Sequence, residues 1–267
     1  MRTMRSIDET VQGVYVGLSK PFKTAFLAAV FFGIAAHLYM FMNKLPNYDD
    51  MGINGFGATF RLGRWFLWFL AATAYHLDFV YSLPWVNGFI TLVLIALSAG
   101  LIADVLGVKS TAGNSVIGAA MAVYPSWTAT FFFMFTAPYY GAALLLAVCA
   151  VWCTVKRKGK FWFAAGSLLL ACSMGIYQAY MPFAASICVI AVMMMSVERE
   201  NDCIEIVKKA VYYFSQLLSG GILYIIITQF SLIATRQKLS RYRGAGTVQN
   251  DFIRRIFSDF FGIVYNN

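Results

Sequence analysis

The sequence predicts an all-α fold that crosses a membrane several times. Of the 267 residues, 60% are hydrophobic and only 12% are charged, and the mean hydropathy is +0.67. Most apolar residues fall in runs of about 20, the length at which an α-helix crosses a hydrocarbon core ~30 Å thick. We therefore expect one integral membrane domain over residues 1–267, not a soluble globular protein.

The positive charge of the chain fits this class. The net charge is +9, which in a soluble protein would suggest a nucleic-acid partner. Cytoplasmic loops of membrane proteins are rich in Lys and Arg and face anionic lipid headgroups. Because neither a nucleic-acid-binding motif nor a glycine-rich phosphate loop accompanies the charge, we expect no nucleic acid and no nucleotide-fuelled pump.

The apolar runs and the basic clusters together predict seven spans. The strongest cytoplasmic marker is the cluster at 156–160, in which four of five residues are basic. With that cluster inside, the N-terminus is cytoplasmic and the first run is a retained signal-anchor helix. The predicted spans are 23–42, 83–106, 114–135, 141–155, 161–176, 181–197 and 212–233.

The segment 64–81 decides the topology. It is apolar enough to insert, but counting it as a crossing would place the cluster 156–160 outside. We therefore predict an interfacial helix on the outer surface, a position that suits Trp65, Trp68 and Tyr75.

Two irregular pieces are expected within this pattern. Pro125 lies inside the third span and should kink it. The stretch 198–209 mixes acids, lysines and apolar residues, and should be a loop.

This topology places four segments on the outer side. They are a candidate catalytic loop at 43–82, two turns at 136–140 and 177–180, and a basic segment at 235–267. The inner loops carry no candidate site, so we expect the chemistry on the outer face.

Asp49 and Asp50 are adjacent acids just past the outer end of the first span. One interpretation is structural: the loop ends a helix after Pro46, and the acids cap the next helix. The other interpretation is catalytic. One carboxylate is a general base that takes a proton from an acceptor hydroxyl, while its neighbour raises the pKa of that base or holds the acceptor.

Arginines form the second group of candidates. Arg61 and Arg64 would share one face of a helix, where they anchor it at the interface or clamp either a lipid phosphate or the Asp pair. Arg241 and Arg243 lie in the basic segment 235–267, against the positive-inside tendency. They could stabilise a departing phosphate; alternatively, the spans are miscounted and this segment is an ordinary cytoplasmic loop.

Tyr177 and Gln178 lie at the outer end of a predicted span. A tyrosine at this level normally belongs to the aromatic belt. The amide of Gln178 could instead hydrogen-bond a sugar hydroxyl.

Several short motifs, in a fixed order, resemble the bacterial type II O-antigen glucosyltransferase family. The resemblance extends over about 36–182, and it is most specific in the linked order of the motifs. The motifs are NKLPNYDD at 43–50, GRW at 63–65, SLPWVNG at 82–88, YPS at 124–126 and GIYQAY at 175–180.

The resemblance implies a membrane glycosyltransferase with a C-type glycosyltransferase-like fold. Such an enzyme moves a hexose, here glucose, from a polyprenyl-phosphate donor to a cell-surface glycan on the outer face. It implies an acidic site in the first outer loop, at Asp49 and Asp50, with Arg64, Arg241 and Arg243 near the lipid phosphate. The implied partners are the lipid-linked sugar, the glycan acceptor, the bilayer, and a donor synthase and flippase.

Cofactors and competing functions complete these expectations. No cofactor is predicted; two carboxylates could hold a divalent ion, but no further ligands accompany them. Members of the family usually carry more helices after the point at which this chain stops, so a truncated copy without activity is one alternative. A transporter or flippase of lipid-linked sugars is another, but the predicted spans hold almost no ionisable residues and no inverted repeat.

Overall fold

The computed structural model of the protein describes residues 16–45, 60–77, 82–197 and 202–240. All regular elements in these ranges are helical, which confirms the predicted all-α class. A 3₁₀ helix, Phe60–Leu62, precedes the second α-helix. The α-helices are α1 (Lys20–Met42), α2 (Trp65–His76), α3 (Pro84–Leu106), α4 (Thr111–Val123), α5 (Pro125–Phe131), α6 (Ala137–Lys156), α7 (Lys160–Ile176), α8 (Tyr180–Val197) and α9 (Cys203–Ala234).

Helix length separates the candidate spans from the rest. In the described ranges, α1, α3, α6, α8 and α9 are long and apolar enough to cross a membrane, and α7 is apolar with 17 residues. Helix α2 has 12 residues, which rise ~18 Å, less than a ~30 Å core. Its length therefore fits the predicted interfacial helix and not a crossing.

Local sequence sets several helix ends. The Ser19 hydroxyl accepts a hydrogen bond from the Phe22 amide at 3.3 Å and caps α1. Gly107 ends α3 in the left-handed conformation, with φ of +63°. Each cap satisfies backbone groups that a helix terminus leaves open.

The predicted span 114–135 is wrong as a single helix. The chain forms α4 and α5 instead, and Tyr124 between them has φ of −57° and ψ of 130°. Pro125 causes the break, because its ring disfavours the α conformation of the preceding residue. Proline here ends one helix and starts another; it does not merely kink one.

The predicted loop 198–209 is also wrong from Cys203 onward, where α9 begins. The Asp202 carboxylate accepts from the Ile204 amide at 3.4 Å and caps the helix. Glu205 and Lys209 then form an ion pair at 2.9 Å, one helical turn apart. The charges that suggested a loop therefore stabilise the first turns of a helix with 32 residues.

The core forms along α3, which packs against both α1 and α6; α4 packs against α1, and α7 and α8 pack against α6. Phe41, Ile95 and Leu144 are almost fully buried there. Gly118 allows α4 to approach α1, because a Cβ at this position would collide with the Ala25 carbonyl oxygen. The backbone of α4 at Gly118 therefore packs directly against the backbone of α1. Small residues commonly permit such close packing between membrane helices.

Contacts between helices fix the two ends of the bundle. Trp152 Nε1 donates to Asp104 Oδ2 at 2.9 Å, near the C-termini of α6 and α3, so these helices run in the same direction. Ser173 Oγ donates to the Ala143 carbonyl at 2.7 Å, so α7 runs antiparallel to α6.

The bundle has two ends of different composition. We call one end the basic end, defined by Lys109, Lys156, Arg157, Lys158, Lys160, Lys208 and Lys209. We call the other the aromatic end, defined by Tyr139, Tyr140, Tyr177 and Tyr180.

Candidate active site

A polar cluster at the aromatic end joins three elements that are distant in sequence. Gln178, between α7 and α8, donates from Nε2 to the Leu62 carbonyl at 2.7 Å. The same nitrogen donates to the Tyr224 hydroxyl of α9 at 2.9 Å. One amide thus fastens the 3₁₀ helix and α9 to the α7–α8 turn.

Gly63 makes this junction sterically feasible. Its φ is +71°, a left-handed conformation that only glycine adopts freely. A Cβ on this residue would collide with the Tyr224 hydroxyl and lie 3.1 Å from Gln178 Nε2. Glycine is therefore needed here for both its backbone conformation and its size.

Arg64 follows directly and is the half-buried cation of the cluster. Its guanidinium lies 5.0 Å from the centroid of the Tyr177 ring, in cation–π geometry. Arg64 Nε is buried and has no hydrogen-bond partner among the described residues, and the same is true of Nε1 in the neighbouring Trp65. Buried donors without acceptors are costly, so this position suits an anionic group that would accept from them.

Tyrosines form a wall beside Arg64. The Tyr177 ring lies 5.2 Å from Tyr140 and 6.0 Å from Tyr180, centroid to centroid, in edge-to-face arrangements. Rings packed in this way hold one another in place. The ring on which the guanidinium rests is therefore a fixed platform.

Arg61 connects the cluster to the segment that follows α9. Its side chain is exposed, and its carbonyl oxygen accepts from the Ser240 amide at 2.7 Å. Thus the described parts of the four predicted outer segments meet at one end of the bundle. Arg241 comes directly after Ser240 in the chain, but it lies outside the described residues, as does Arg243.

The predicted catalytic pair, Asp49 and Asp50, lies outside the described residues. In the ranges that are described, the acids are Asp104, Asp202 and Glu205, and all three belong to the basic half of the bundle. The described part of the aromatic end therefore carries cations without carboxylates. Over these same ranges, no group of three His, Cys, Asp or Glu side chains could hold a metal ion.

Tyr224 is the residue of the cluster that sequence reasoning missed. It lies within an apolar span, at a distance of more than 40 residues from Gln178, its partner. No motif surrounds it. The available signal was chemical: a buried tyrosine hydroxyl in a membrane helix needs a hydrogen-bond partner.

Comparison with known proteins agrees with the sequence motifs. The family model described as glucosyl transferase GtrII matches residues 38–265. No curated protein and no solved structure matches the chain. The family match covers most of the sequence and confirms the resemblance seen in the motifs. The chain therefore belongs to the GtrII family, the bacterial type II O-antigen glucosyltransferases.

Proposed function

We propose that the protein transfers glucose from a polyprenyl-phosphate donor to a cell-surface glycan on the outer face of the bacterial membrane. The family implies glucosyltransferase activity, and the apolar helices fit a membrane protein. The lipid-linked donor, the acceptor and the side of the membrane are the proposed parts. An outer-face donor also requires partner proteins that make it and flip it across the bilayer.

The orientation follows from charge. Lysines and arginines favour the cytoplasmic side, and the basic end holds the cluster Lys156–Lys160 together with Lys208 and Lys209. The aromatic end is then outside, and the tyrosines lie at headgroup level. In this arrangement, α4 and α5 together with α7 complete the seven predicted spans of a C-type glycosyltransferase-like fold.

The main support for the proposal is the environment of the Arg64 guanidinium. A guanidinium fixed on the Tyr177 ring, with a buried Nε that finds no partner in the described part of the chain, matches a phosphate that accepts hydrogen bonds. We assign this phosphate to the lipid carrier of the donor. Arg61, Arg241 and Arg243 would add positive charge around the same group, and Tyr177 and Gln178 would border the sugar.

The reaction needs a base and a stabilised leaving group. One carboxylate of the pair Asp49 and Asp50 takes the proton from an acceptor hydroxyl as its oxygen attacks the anomeric carbon. The bond between that carbon and the phosphate oxygen breaks, and its electron pair leaves with the lipid phosphate. Arg64 stabilises this growing negative charge.

A transfer assay with labelled polyprenyl-phosphate glucose and glycan-bearing membranes tests the assignment. Asp49→Asn/Asp50→Asn should abolish transfer at unchanged membrane abundance. Asp202→Asn, a cap at the basic end, is the matched control and should transfer normally. Full transfer by the double variant would show that neither Asp49 nor Asp50 is the base.

Arg64→Lys tests the phosphate contact in the same assay. Lysine keeps the charge but loses the planar, bidentate fork. We expect a higher KM for the donor, because the phosphate is held in the ground state, and a lower kcat, because the contact strengthens as negative charge grows on the leaving phosphate. Unchanged constants would leave Arg64 with an anchoring role alone.

Cysteine labelling tests the orientation. In a cysteine-free background, single cysteines at Asn47 and Ser240 should react with an impermeant reagent added outside. A cysteine at Lys158, at the opposite end, should react only after the membrane is opened. Labelling of Lys158→Cys in intact cells would contradict the proposed topology and place the basic end outside.

A further inference from the structure

A cavity lies at the basic end, at the opposite end of the bundle from the candidate active site. Its volume is about 450 Å³, and it opens between the α6–α7 turn and the first turns of α9. Arg157, Lys158, Lys160 and Lys209 line it. So many cations at one cavity suggest an anionic ligand.

Arg157 is held in place by aromatic rings. Its guanidinium lies 4.9 Å from the Trp152 ring and 5.3 Å from the Trp162 ring, centroid distances typical of cation–π contacts. Trp152 is fixed in turn by its hydrogen bond to Asp104. The two rings thus hold this guanidinium in position without neutralising its positive charge.

Little acidic charge opposes the four cations. The ion pair between Lys209 and Glu205, at 2.9 Å, is the one salt bridge found in the described ranges. Arg157, Lys158 and Lys160 are exposed. The cavity therefore keeps a surplus of positive charge at its rim.

The N-terminus of α7 adds to this field. Gly159 takes the cap position with φ of +108° and has no side chain to accept hydrogen bonds from the first turn. Both Gly159 and Lys160 line the cavity. Open backbone N–H groups and the positive end of a helix dipole favour an anion at such a place.

The inner wall of the cavity has a different character. Val155, Phe163, Tyr212 and Tyr213 line it with mainly apolar surface. Tyr213 is buried, and Phe163 packs against Tyr212 at 5.5 Å between ring centroids. A ligand that fills the cavity therefore needs an apolar part as well as a charged group.

We propose that this cavity binds one anionic glycerophospholipid. The phosphate group contacts Arg157, Lys160 and the α7 N-terminus, and an acyl chain lies against Phe163 and Tyr212. Basic pockets between membrane helices recognise anionic headgroups in this way. The site is at the opposite end from the proposed transfer reaction and does not depend on it.

Native mass spectrometry of the full chain in detergent tests the proposal. Phosphatidylglycerol, phosphatidylcholine and inorganic phosphate are titrated separately, and the bound fraction gives each affinity. We expect phosphatidylglycerol to bind with one molecule retained per chain, well above phosphatidylcholine. Lys160→Gln/Lys209→Gln should weaken it about 30-fold, from the contribution of two basic residues near an anionic lipid.

Two further variants guard against misinterpretation. Lys158→Gln/Lys160→Gln changes only exposed residues of the α6–α7 turn and leaves the ion pair of Lys209 intact, so it should fold normally and still bind weakly. Lys109→Gln lies at the basic end outside the cavity and should bind like the unchanged protein.

Three results would overturn the proposal. Equal weakening by Lys109→Gln would mean general surface charge. Equal binding of phosphatidylcholine would remove the role of the cations. Inorganic phosphate that binds as strongly as phosphatidylglycerol would show a free-phosphate site with no role for the apolar wall.

Discussion

Alanine at Gly63 should destabilise the protein through one identifiable contact. The backbone there has φ of +71°. A new Cβ would collide with the Tyr224 hydroxyl, which accepts a hydrogen bond from Gln178 at 2.9 Å. The substitution therefore strains the backbone and also displaces a partner of the polar cluster.

The magnitude follows from these two effects. A left-handed conformation costs a residue with a Cβ ~1–2 kcal/mol. Loss of the hydrogen bond between Gln178 and Tyr224 costs ~0.5–1.5 kcal/mol. We expect Gly63→Ala to lower the free energy of unfolding by ~2–3 kcal/mol, measured by sodium dodecyl sulfate titration in mixed micelles.

Gly107→Ala is the matched control. Gly107 has nearly the same conformation, with φ of +63°, but nothing lies within 4 Å of its Cβ position. It should show the backbone cost alone, so the two variants should differ by ~1 kcal/mol. Equal losses in the two variants would refute the role of the contact with Tyr224.

Tyr224→Phe closes the comparison. Removing the hydroxyl removes the collision and leaves the contact with Gln178 Nε2 at 3.1 Å, so Gly63→Ala should cost less in that background than in the unchanged protein. The difference between the two backgrounds is the coupling energy of a double-mutant cycle. A cost of Gly63→Ala that stays unchanged in Tyr224→Phe would mean that the strain lies elsewhere.

Two other contacts give predictions for the same unfolding assay. His37 Nε2 donates to the buried Ala122 carbonyl at 2.9 Å, so His37→Leu should cost ~1–3 kcal/mol, whereas the exposed His76→Leu should be nearly neutral. Gly118→Ala should destabilise the contact of α4 with α1, because its Cβ would meet a backbone carbonyl that cannot rotate away. Gly221→Ala has open space around its Cβ and should stabilise α9 by ~0.5–1 kcal/mol; a loss at Gly221 matching that at Gly118 would contradict this explanation.

The spans could be predicted where local signals and hydrophobicity agree. The predicted span 83–106 corresponds to the observed helix Pro84–Leu106. This helix has a proline in its first turn and a glycine just after its end. The predicted 212–233 lies inside Cys203–Ala234, but its start was misplaced by nine residues. Hydrophobicity finds the part of a helix that lies in lipid, and it misses a charged extension that is stabilised by a cap and an ion pair.

The polar cluster shows what sequence could not reveal. Arg64, Tyr177 and Gln178 were predicted from chemistry at helix ends, and the structure brings all three together. Tyr224 could not be predicted, because its partner is set by the packing of α9 against the α7–α8 turn. Which face of an apolar helix meets a given turn depends on the whole bundle, and one apolar sequence does not specify it.

The hydrogen bonds of Gln178 change how its role must be tested. Its Nε2 already donates to Leu62 and Tyr224, so loss of activity in Gln178→Ala could reflect either a lost sugar contact or a displaced Arg64. Tyr224→Phe separates these causes, because it removes one partner and keeps the amide. If Gln178 positions Arg64, both variants should raise the KM for the lipid donor in the same direction. If Gln178 binds the sugar directly, Tyr224→Phe should leave the donor KM unchanged while Gln178→Ala raises it, and that result would contradict the positioning role.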